Sequence, residues 1–309
     1  METLPALRYA QRRPQGAGAM RSFHILAMAL AIGAIGMAAL PEAAAQSERT
    51  IRAQAEASMV LSGTVDVGPE GQVEGFALDQ RDDVPVPIAG FVDRVVNAWR
   101  FAPGTEDGRP VRMRTPVTLR IGGKSQPDGA TLLTLLAANF DHYDPAATDT
   151  VTALTMRPPS YPDSVASIGG RGDVLLLLKI GRDGHVLDVA TEQVNMKVVA
   201  RGAEMQRMRD VLARASMAAA RSWSFRAPTT GMDKDANDWT VRVPVSFAFH
   251  GEDVRYGAWD VYVPGPRQQA PWRADRALAD DAGGLLPAGG VYMADATPTG
   301  PQLLTPPGT

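Results

Sequence analysis

The chain has 309 residues, 45% of them hydrophobic, which suits about two globular domains. Its formal net charge of -3 argues against nucleic acid as a partner. It contains no cysteine, which excludes disulfides, thiolate metal sites and cysteine nucleophiles.

The N-terminus has the layout of an export signal. A basic region containing Arg8, Arg12, Arg13 and Arg21 precedes residues 22–40, which carry no charge. Small residues at 43–45 then offer a signal-peptidase cleavage site, so residues 1–45 are predicted to be removed. The alternative is an uncleaved single-pass anchor, because a run of about 18 uncharged residues can span a bilayer. Either Met1 or Met20 can serve as the initiator.

Two regions of the chain, 58–121 and 157–250, follow the same order of motifs. Each opens with two runs of alternating apolar residues, separated by Gly-Pro-Glu-Gly at 68–71 in the first region and by Gly-Arg-Asp-Gly at 181–184 in the second. Alternation interrupted by such a turn predicts a β-hairpin.

A helix and a final strand complete each region. Apolar residues at helical spacing predict helices over 88–98 and 203–222, and each helix runs into a Trp-x-Phe motif that starts at Trp99 or Trp223. These tryptophans are expected to close the cores. The last strands contain Pro116 and Pro244, and because proline cannot donate to a ladder, each strand should lie partly at a sheet edge.

The shared order of motifs predicts an internal duplication. The fold class is α+β, with two small modules that each pack one helix on a three-stranded antiparallel sheet in the order ββαβ. Residues 122–156 form a linker with a short helix over 132–140, between the modules. Residues 251–309, rich in Gly and Pro, are predicted to be mostly disordered, with 259–264 docking on the second module.

The second region resembles the TonB C-terminal domain, which belongs to the energy transducer of the Gram-negative envelope. The resemblance rests on an ordered set of motifs: Pro-Pro-Ser-Tyr-Pro at 158–162, Gly-Asp-Val at 172–174, Asp-Gly-His-Val at 183–186, Trp-Ser-Phe at 223–225, Pro228 and Val-Arg-Val-Pro-Val at 241–245. The first region lacks the Tyr-Pro lead-in and is interpreted as a diverged copy.

The resemblance implies a domain that captures an extended segment of an outer-membrane transporter by adding it to a sheet edge. It also implies an N-terminal membrane helix beside proton-driven partners, where the family has Ser and His four residues apart. Here Ser22 and His24 are two apart, and no Pro-rich spacer follows. Residues 46–57 reach only about 40 Å. The resemblance therefore supports the binding fold better than energy transduction.

The predicted function is a periplasmic binding protein that pairs by β-strand addition with a peptide or protein, with an outer-membrane transporter segment as one candidate. The partner contacts are predicted along the last strand, at Val241, Val243, Val245 and Phe247, and at Tyr161 and Pro162. Tyr161 can instead pack on the sheet as part of a strand lead-in. The alternatives are an inner-membrane-anchored energy transducer for TonB-dependent transport, which needs residues 22–40 retained in the membrane, and self-association.

No catalytic residue, metal site or cofactor is predicted. The four histidines, His24, His142, His185 and His250, have no metal-ligand spacing, and His185 is expected to be exposed. No serine lies in a nucleophile motif, and no Gly-rich phosphate loop leads into a helix.

Overall fold

The computed structural model describes residues 8–11, 55–125, 131–140, 143–249, 255–274, 286, 288–294 and 302–305. Apart from one strand at Arg8–Gln11, the predicted export signal lies outside the described residues. The elements in chain order are β1 (Arg8–Gln11), β2 (Glu56–Val67), β3 (Val73–Leu78), α1 (Val86–Asn97), β4 (Gly104–Glu106), β5 (Arg109–Val111), β6 (Met113–Ser125), β7 (Thr131–Asn139), β8 (Thr152–Thr155), α2 (Asp163–Ala166), β9 (Gly172–Gly181), β10 (Val186–Met196), α3 (Gly202–Ala220), β11 (Ser224–Arg226), β12 (Asp238–Phe249), β13 (Asp260–Tyr262) and β14 (Tyr292–Met293), with 3₁₀ turns at Arg81–Asp83 and Pro271–Arg273.

The chain is an α+β protein, as its alternating and helical patterns predict. Within the described residues, a first five-stranded sheet has the order β13-β2-β6-β7, with β3 also on β2. A second has the order β1-β12-β9-β10, with β14 also on β12. In each sheet the first hairpin strand is central, between its hairpin partner and the strand that follows the long helix. The predicted three-stranded ββαβ arrangement is therefore the centre of each sheet, and two further strands extend it.

The hairpin turns dock on the Trp-x-Phe motifs in the same way in both sheets. The amide of Phe101 donates to the carbonyl of Gly71 at 2.7 Å, and the amide of Phe225 donates to that of Gly184 at 2.9 Å. Gly71 and Gly184 have φ values of +81° and +78°, and a Cβ on either would lie 2.0 Å or less from the phenylalanine carbonyl oxygen. Both the positive φ and the close approach require glycine at these turns.

Each tryptophan closes its core, as predicted. Trp99 and Trp223 are both 1% exposed. The indole Nε1 of Trp223 donates to the carbonyl of Arg157 at 2.8 Å, in the lead-in before α2. The buried Nε1 of Trp99 has no hydrogen-bond partner within the described part of the chain, and its ring packs edge-on against Phe140 instead. Because the first region lacks this lead-in, its described residues contain no carbonyl equivalent to that of Arg157 for the Trp99 indole to bond.

The predicted short helix over 132–140 is wrong, because this stretch is strand β7, which pairs antiparallel with β6 from Thr118 to Ser125. Leu133 and Leu135 point into the first core, whereas Leu132 is 55% exposed. The apolar run fits either a helix or a half-buried strand, and the open edge of β6 selects the strand. Since Phe140 packs on the first core and Val151 is buried in the second, both folded units reach further into the predicted linker.

Parts of the Gly/Pro-rich tail are folded onto the body. The prediction that 259–264 docks on the second module is right only for its end: strand β13 pairs with β2 of the first sheet, whereas Val263 lies in the second core. The tail then exchanges two main-chain hydrogen bonds with the second sheet, between Val263 and Met196, at 2.8 and 3.0 Å. Lys197 binds the carboxylates of Asp173 at 2.9 Å and Asp260 at 3.0 Å. Burial lowers the pKa of Lys197, but the two carboxylates outweigh it and raise that pKa overall.

The C-terminal residues 302–305 complete the first unit. Leu303 forms a bridge with Phe101, and the amide of Leu304 donates to the carbonyl of Arg100 at 2.8 Å. In the second unit, strand β8 takes the same place, with Ala153 opposite Phe225. Backbone pairing therefore places tail residues that show no sequence periodicity.

Candidate functional site

The side chains predicted to contact a partner lie in the second core. Val241, Val243, Val245 and Phe247 on β12 are each 0% exposed. They alternate along the strand and face the same core as Met208 and the other buried residues of α3. What β12 can offer to a partner is therefore its main chain, at the edge that faces away from β9.

That outer edge has a break at Pro244. The amide of Gly289 donates to the carbonyl of Pro244 at 3.4 Å, so this carbonyl points away from β9. Because N–H and C=O of one residue point the same way in an antiparallel strand, the donor that proline lacks is also on the outer edge. The β9 ladder is thus uninterrupted, which is how the predicted edge proline is accommodated. Pro116 likewise precedes the part of β6 that pairs with β7.

Two pieces of the chain already occupy the outer edge, one on each side of Pro244. Strand β14 pairs antiparallel with Val241 and Arg242, and the amide of Ala294 donates to the carbonyl of Thr240 at 2.8 Å. Strand β1 pairs parallel with the stretch from Ser246 to Phe249. The β12 edge therefore accepts added strands in both directions.

The lead-in residue Tyr161 supports β12 from the core side. Tyr161 is 4% exposed and stacks on Phe249, with the ring centroids 5.5 Å apart, and its hydroxyl donates to the carbonyl of Gly170 at 2.5 Å. Pro162 precedes the short helix α2. The structure thus places the Tyr161 side chain on the sheet, as the lead-in alternative describes, and separates it from the outer edge.

A buried ion pair holds β12 to the opposite edge strand. Arg242 donates to both carboxylate oxygens of Glu192, at 2.7 and 3.2 Å, and the two residues are 7% and 4% exposed. Glu192 lies at the bulge in β10, where the pairing with β9 skips one residue. A bulge re-aims a side chain, and here it allows the carboxylate to reach across β9. The sequence gives no sign of this pair, because its members lie 50 residues apart on strands that are not neighbours.

Aromatic side chains of the tail and linker cover the start of β12. The rings of Tyr292 and Tyr143 lie 6.1 Å apart, and burial, followed by the nearby Tyr143, raises the pKa of Tyr292 well above its usual value. The indole of Trp272 donates to the hydroxyl of Thr240 at 3.2 Å. Neither Tyr292 nor Trp272 was predicted to be near the site, because only the folded tail brings them there.

A groove of about 470 Å³ runs along the outer edge of β10. It lies between α3, which contributes Arg209 and Arg214, and the tail, which contributes Pro266 and Trp272. Arg209 is committed to main-chain carbonyls, including that of Pro264 at 3.1 Å, and burial lowers its pKa.

The parts of the chain that the structure describes contain neither a cluster of metal-ligating side chains nor a membrane-spanning helix. No three His, Asp or Glu side chains there lie close enough together to hold a metal ion. None of the helices in those parts is long and apolar enough to cross a membrane. His185 follows the hairpin turn and is exposed, as predicted.

No family model matches the chain, and no solved structure gives a significant match. Curated proteins named Protein TonB, from two strains of Xanthomonas campestris pv. campestris, are each 36% identical to it over 107 residues. The chain contains a TonB-like C-terminal domain. The match covers 35% of this chain and 42% of each relative, so the chain spans less than half the length of the curated relatives it matches.

Proposed function

We propose that the chain is a periplasmic TonB-like protein that binds an extended segment of a protein partner by adding it to the outer edge of β12. The observation that carries this proposal is the edge itself, which already takes up strand β14 on one side of Pro244 and strand β1 on the other. Main-chain hydrogen bonds supply affinity in such strand addition, whatever the partner's side chains are. The function is binding rather than catalysis.

The resemblance to TonB favours a segment of an outer-membrane transporter as the partner. The side chains of Val241, Val243 and Val245 do not themselves reach out to a partner, since all three face the core. The missing donor at Pro244 divides the contact into two short ladders. A short two-part ladder suits a partner that must be captured and released.

Backbone methylation of the partner tests the proposal. A synthetic peptide from a periplasm-facing segment of such a transporter is titrated with the full chain. Two further peptides carry N-methyl groups on alternate amides, in the two opposite phases. One phase removes two or three donors that face β12 and should weaken binding about 10- to 100-fold, whereas the other should bind like the parent. Equal affinity for all three peptides would mean that no ladder forms.

Whether the chain is released into the periplasm or stays anchored in the inner membrane decides whether it only binds a partner or also transmits force to it. We propose cleavage after residue 45, which gives a periplasmic protein, and keep as the alternative an inner-membrane anchor at residues 22–40 that supports TonB-dependent transport. Cleavage would also remove β1 and expose the edge from Ser246 to Phe249. Mass spectrometry of the protein from envelope fractions is expected to find an N-terminus near Gln46. A chain starting at Met1 or Met20 in the membrane fraction would favour the transducer.

The two sheets support the proposal of an internal duplication. They share the order of their three central strands, and in both of them a hairpin glycine, Gly71 or Gly184, accepts a hydrogen bond from the Trp-x-Phe motif. The first sheet differs at its last strand, because β7 covers part of β6 on the side that corresponds to the outer edge of β12. Partner binding is therefore assigned to the second unit.

Self-association at β7 is a second candidate. This strand of nine residues carries no charge and no proline, and within the described residues it pairs on one side only. Antiparallel pairing of two copies about Thr134 would place Leu132 opposite Leu136, which are 55% and 36% exposed. Sedimentation equilibrium should show a dimer for wild type that Thr134→Lys dissociates. A monomer in both would remove this candidate.

A further inference from the structure

The tail segment Gly289–Ala294 lies on the β12 edge as an external partner strand would. Its terminal amides donate to the carbonyls of Pro244 and Thr240, at 3.4 and 2.8 Å, so it spans the edge from Thr240 to the proline break. The pairing is antiparallel, with Met293 opposite Val241. The main-chain groups needed for strand addition are therefore in use.

The side chains of this segment are matched to their positions on the second unit. Val291 is 2% exposed within the second core, and Met293 packs against the same core. Tyr292 is 8% exposed and lies against Tyr143. The segment therefore presents an uncharged run of an apolar, an aromatic and an apolar residue, Val291, Tyr292 and Met293. It also pairs with β12 through its main chain.

The rest of the tail fixes the segment in place. The guanidinium of Arg273 donates to the carbonyl of Ala294 at 3.2 Å. Trp272, next to it in the chain, binds Thr240, whose carbonyl the segment also uses. Covalent connection through the tail gives the segment a high local concentration at the edge, which a free partner has to overcome.

We infer that Gly289–Ala294 is an internal strand that closes the first half of the partner edge, and that a partner must displace it. The choice of the β12 edge in this inference rests on the proposed function. The partner that fits is an extended segment with the same chemistry, an uncharged apolar–aromatic–apolar run that pairs antiparallel with Val241 and Arg242. In the cleaved protein the half of the edge from Ser246 to Phe249 offers a first contact, from which such a segment can replace the tail.

The test uses the full chain and two variants that release the segment. Val291→Asp places a charge in the core position of the segment, and Ala294→Pro removes the amide that binds Thr240 without adding a charge. Leu304→Asp is the matched control, because it makes the same type of change in the tail at a side chain that is 59% exposed. The probe is a synthetic peptide with the sequence of residues 288–295.

Wild type and Leu304→Asp should bind this peptide about tenfold more weakly than the two releasing variants, the factor expected if the edge is open in about a tenth of the wild-type molecules. Amide exchange at Ala294 should accordingly be about tenfold slower in wild type than in Val291→Asp. Equal exchange rates at Ala294 in the two proteins would overturn the inference, whether or not peptides bind. Slow exchange that is lost in Val291→Asp, without any peptide binding to that variant, would support the closing strand and count against the proposed function instead.

Discussion

Replacing Arg242 by methionine is expected to lower the free energy of unfolding by about 3–5 kcal/mol, the cost of leaving one partner of a buried ion pair unpaired. The carboxylate of Glu192 would remain beneath the sheet surface, where it is 4% exposed and has lost both hydrogen bonds to the guanidinium. Urea unfolding followed by tryptophan fluorescence measures the change.

Two control variants identify the cause. The double variant Arg242→Met/Glu192→Met should recover most of the lost stability, because it removes the unpaired charge and keeps the volume apolar. Arg114 makes the same two-bond contact with Asp66 across strands β6 and β2, at 2.6 and 3.0 Å, but its side chain is 73% exposed. Arg114→Met should therefore change stability little. If Arg242→Met and Arg114→Met lowered the free energy of unfolding by similar amounts, the burial of the ion pair would not determine the loss of stability.

Gly184→Ala is expected to lower the free energy of unfolding by about 3 kcal/mol or more, because it combines a strained φ with a steric clash. The new Cβ would lie 2.0 Å from the carbonyl oxygen of Phe225, a main-chain atom that cannot move without shifting the Trp-x-Phe motif. Thermal unfolding and urea unfolding both measure the loss. Gly71→Ala should have the same type of effect on the first unit, since its Cβ would lie 1.9 Å from the carbonyl oxygen of Phe101.

Gly108 provides the matched control for the clash. It has a φ of +75°, close to that of Gly184, but a Cβ there would meet nothing within 4 Å. Gly108→Ala should cost only the conformational strain, about 1–2 kcal/mol. If Gly108→Ala and Gly184→Ala were equally destabilising, the docking of the hairpin turn on the Trp-x-Phe motif would contribute nothing beyond its backbone conformation.

The elements that sequence reasoning predicted are those with local signals. The hairpins at 68–71 and 181–184 have glycine turns between alternating runs, and the structure confirms both. The two long helices follow from apolar spacing, and the burial of Trp99 and Trp223 follows from the size of their aromatic side chains. The α+β class therefore follows from local patterns of turns and apolar spacing.

The features that were missed depend on contacts between distant parts of the chain. Strand β7 reads equally well as a short helix, and only the open edge of β6 decides the outcome. The tail strands β13 and β14 are three and two residues long, too short for a periodic pattern, and exist because β2 and β12 have edges to pair with. The Arg242–Glu192 pair depends on a bulge in β10, which has no local sequence signal.

For the candidate site, the sequence indicates the strand that we propose binds a partner, but not the groups that it offers. The proline in β12 correctly indicates a break in the pairing on its outer side. The side chains of Val243 and its apolar neighbours, which were predicted contacts, lie in the core. Alternation alone cannot separate a core face from a binding face on an edge strand, because both are apolar. The edge is instead defined by the carbonyls of Thr240 and Pro244, which the sequence does not reveal.

Strand addition to β12 is tested most directly by nuclear magnetic resonance of the isotope-labelled chain with the unlabelled transporter peptide. Cross-strand contacts from the peptide to Arg242 and Ser246 are expected, together with faster amide exchange at Ala294. Contacts confined to the groove between α3 and β10, around Thr191 and Arg214, with exchange at Ala294 unchanged, would contradict strand addition to β12.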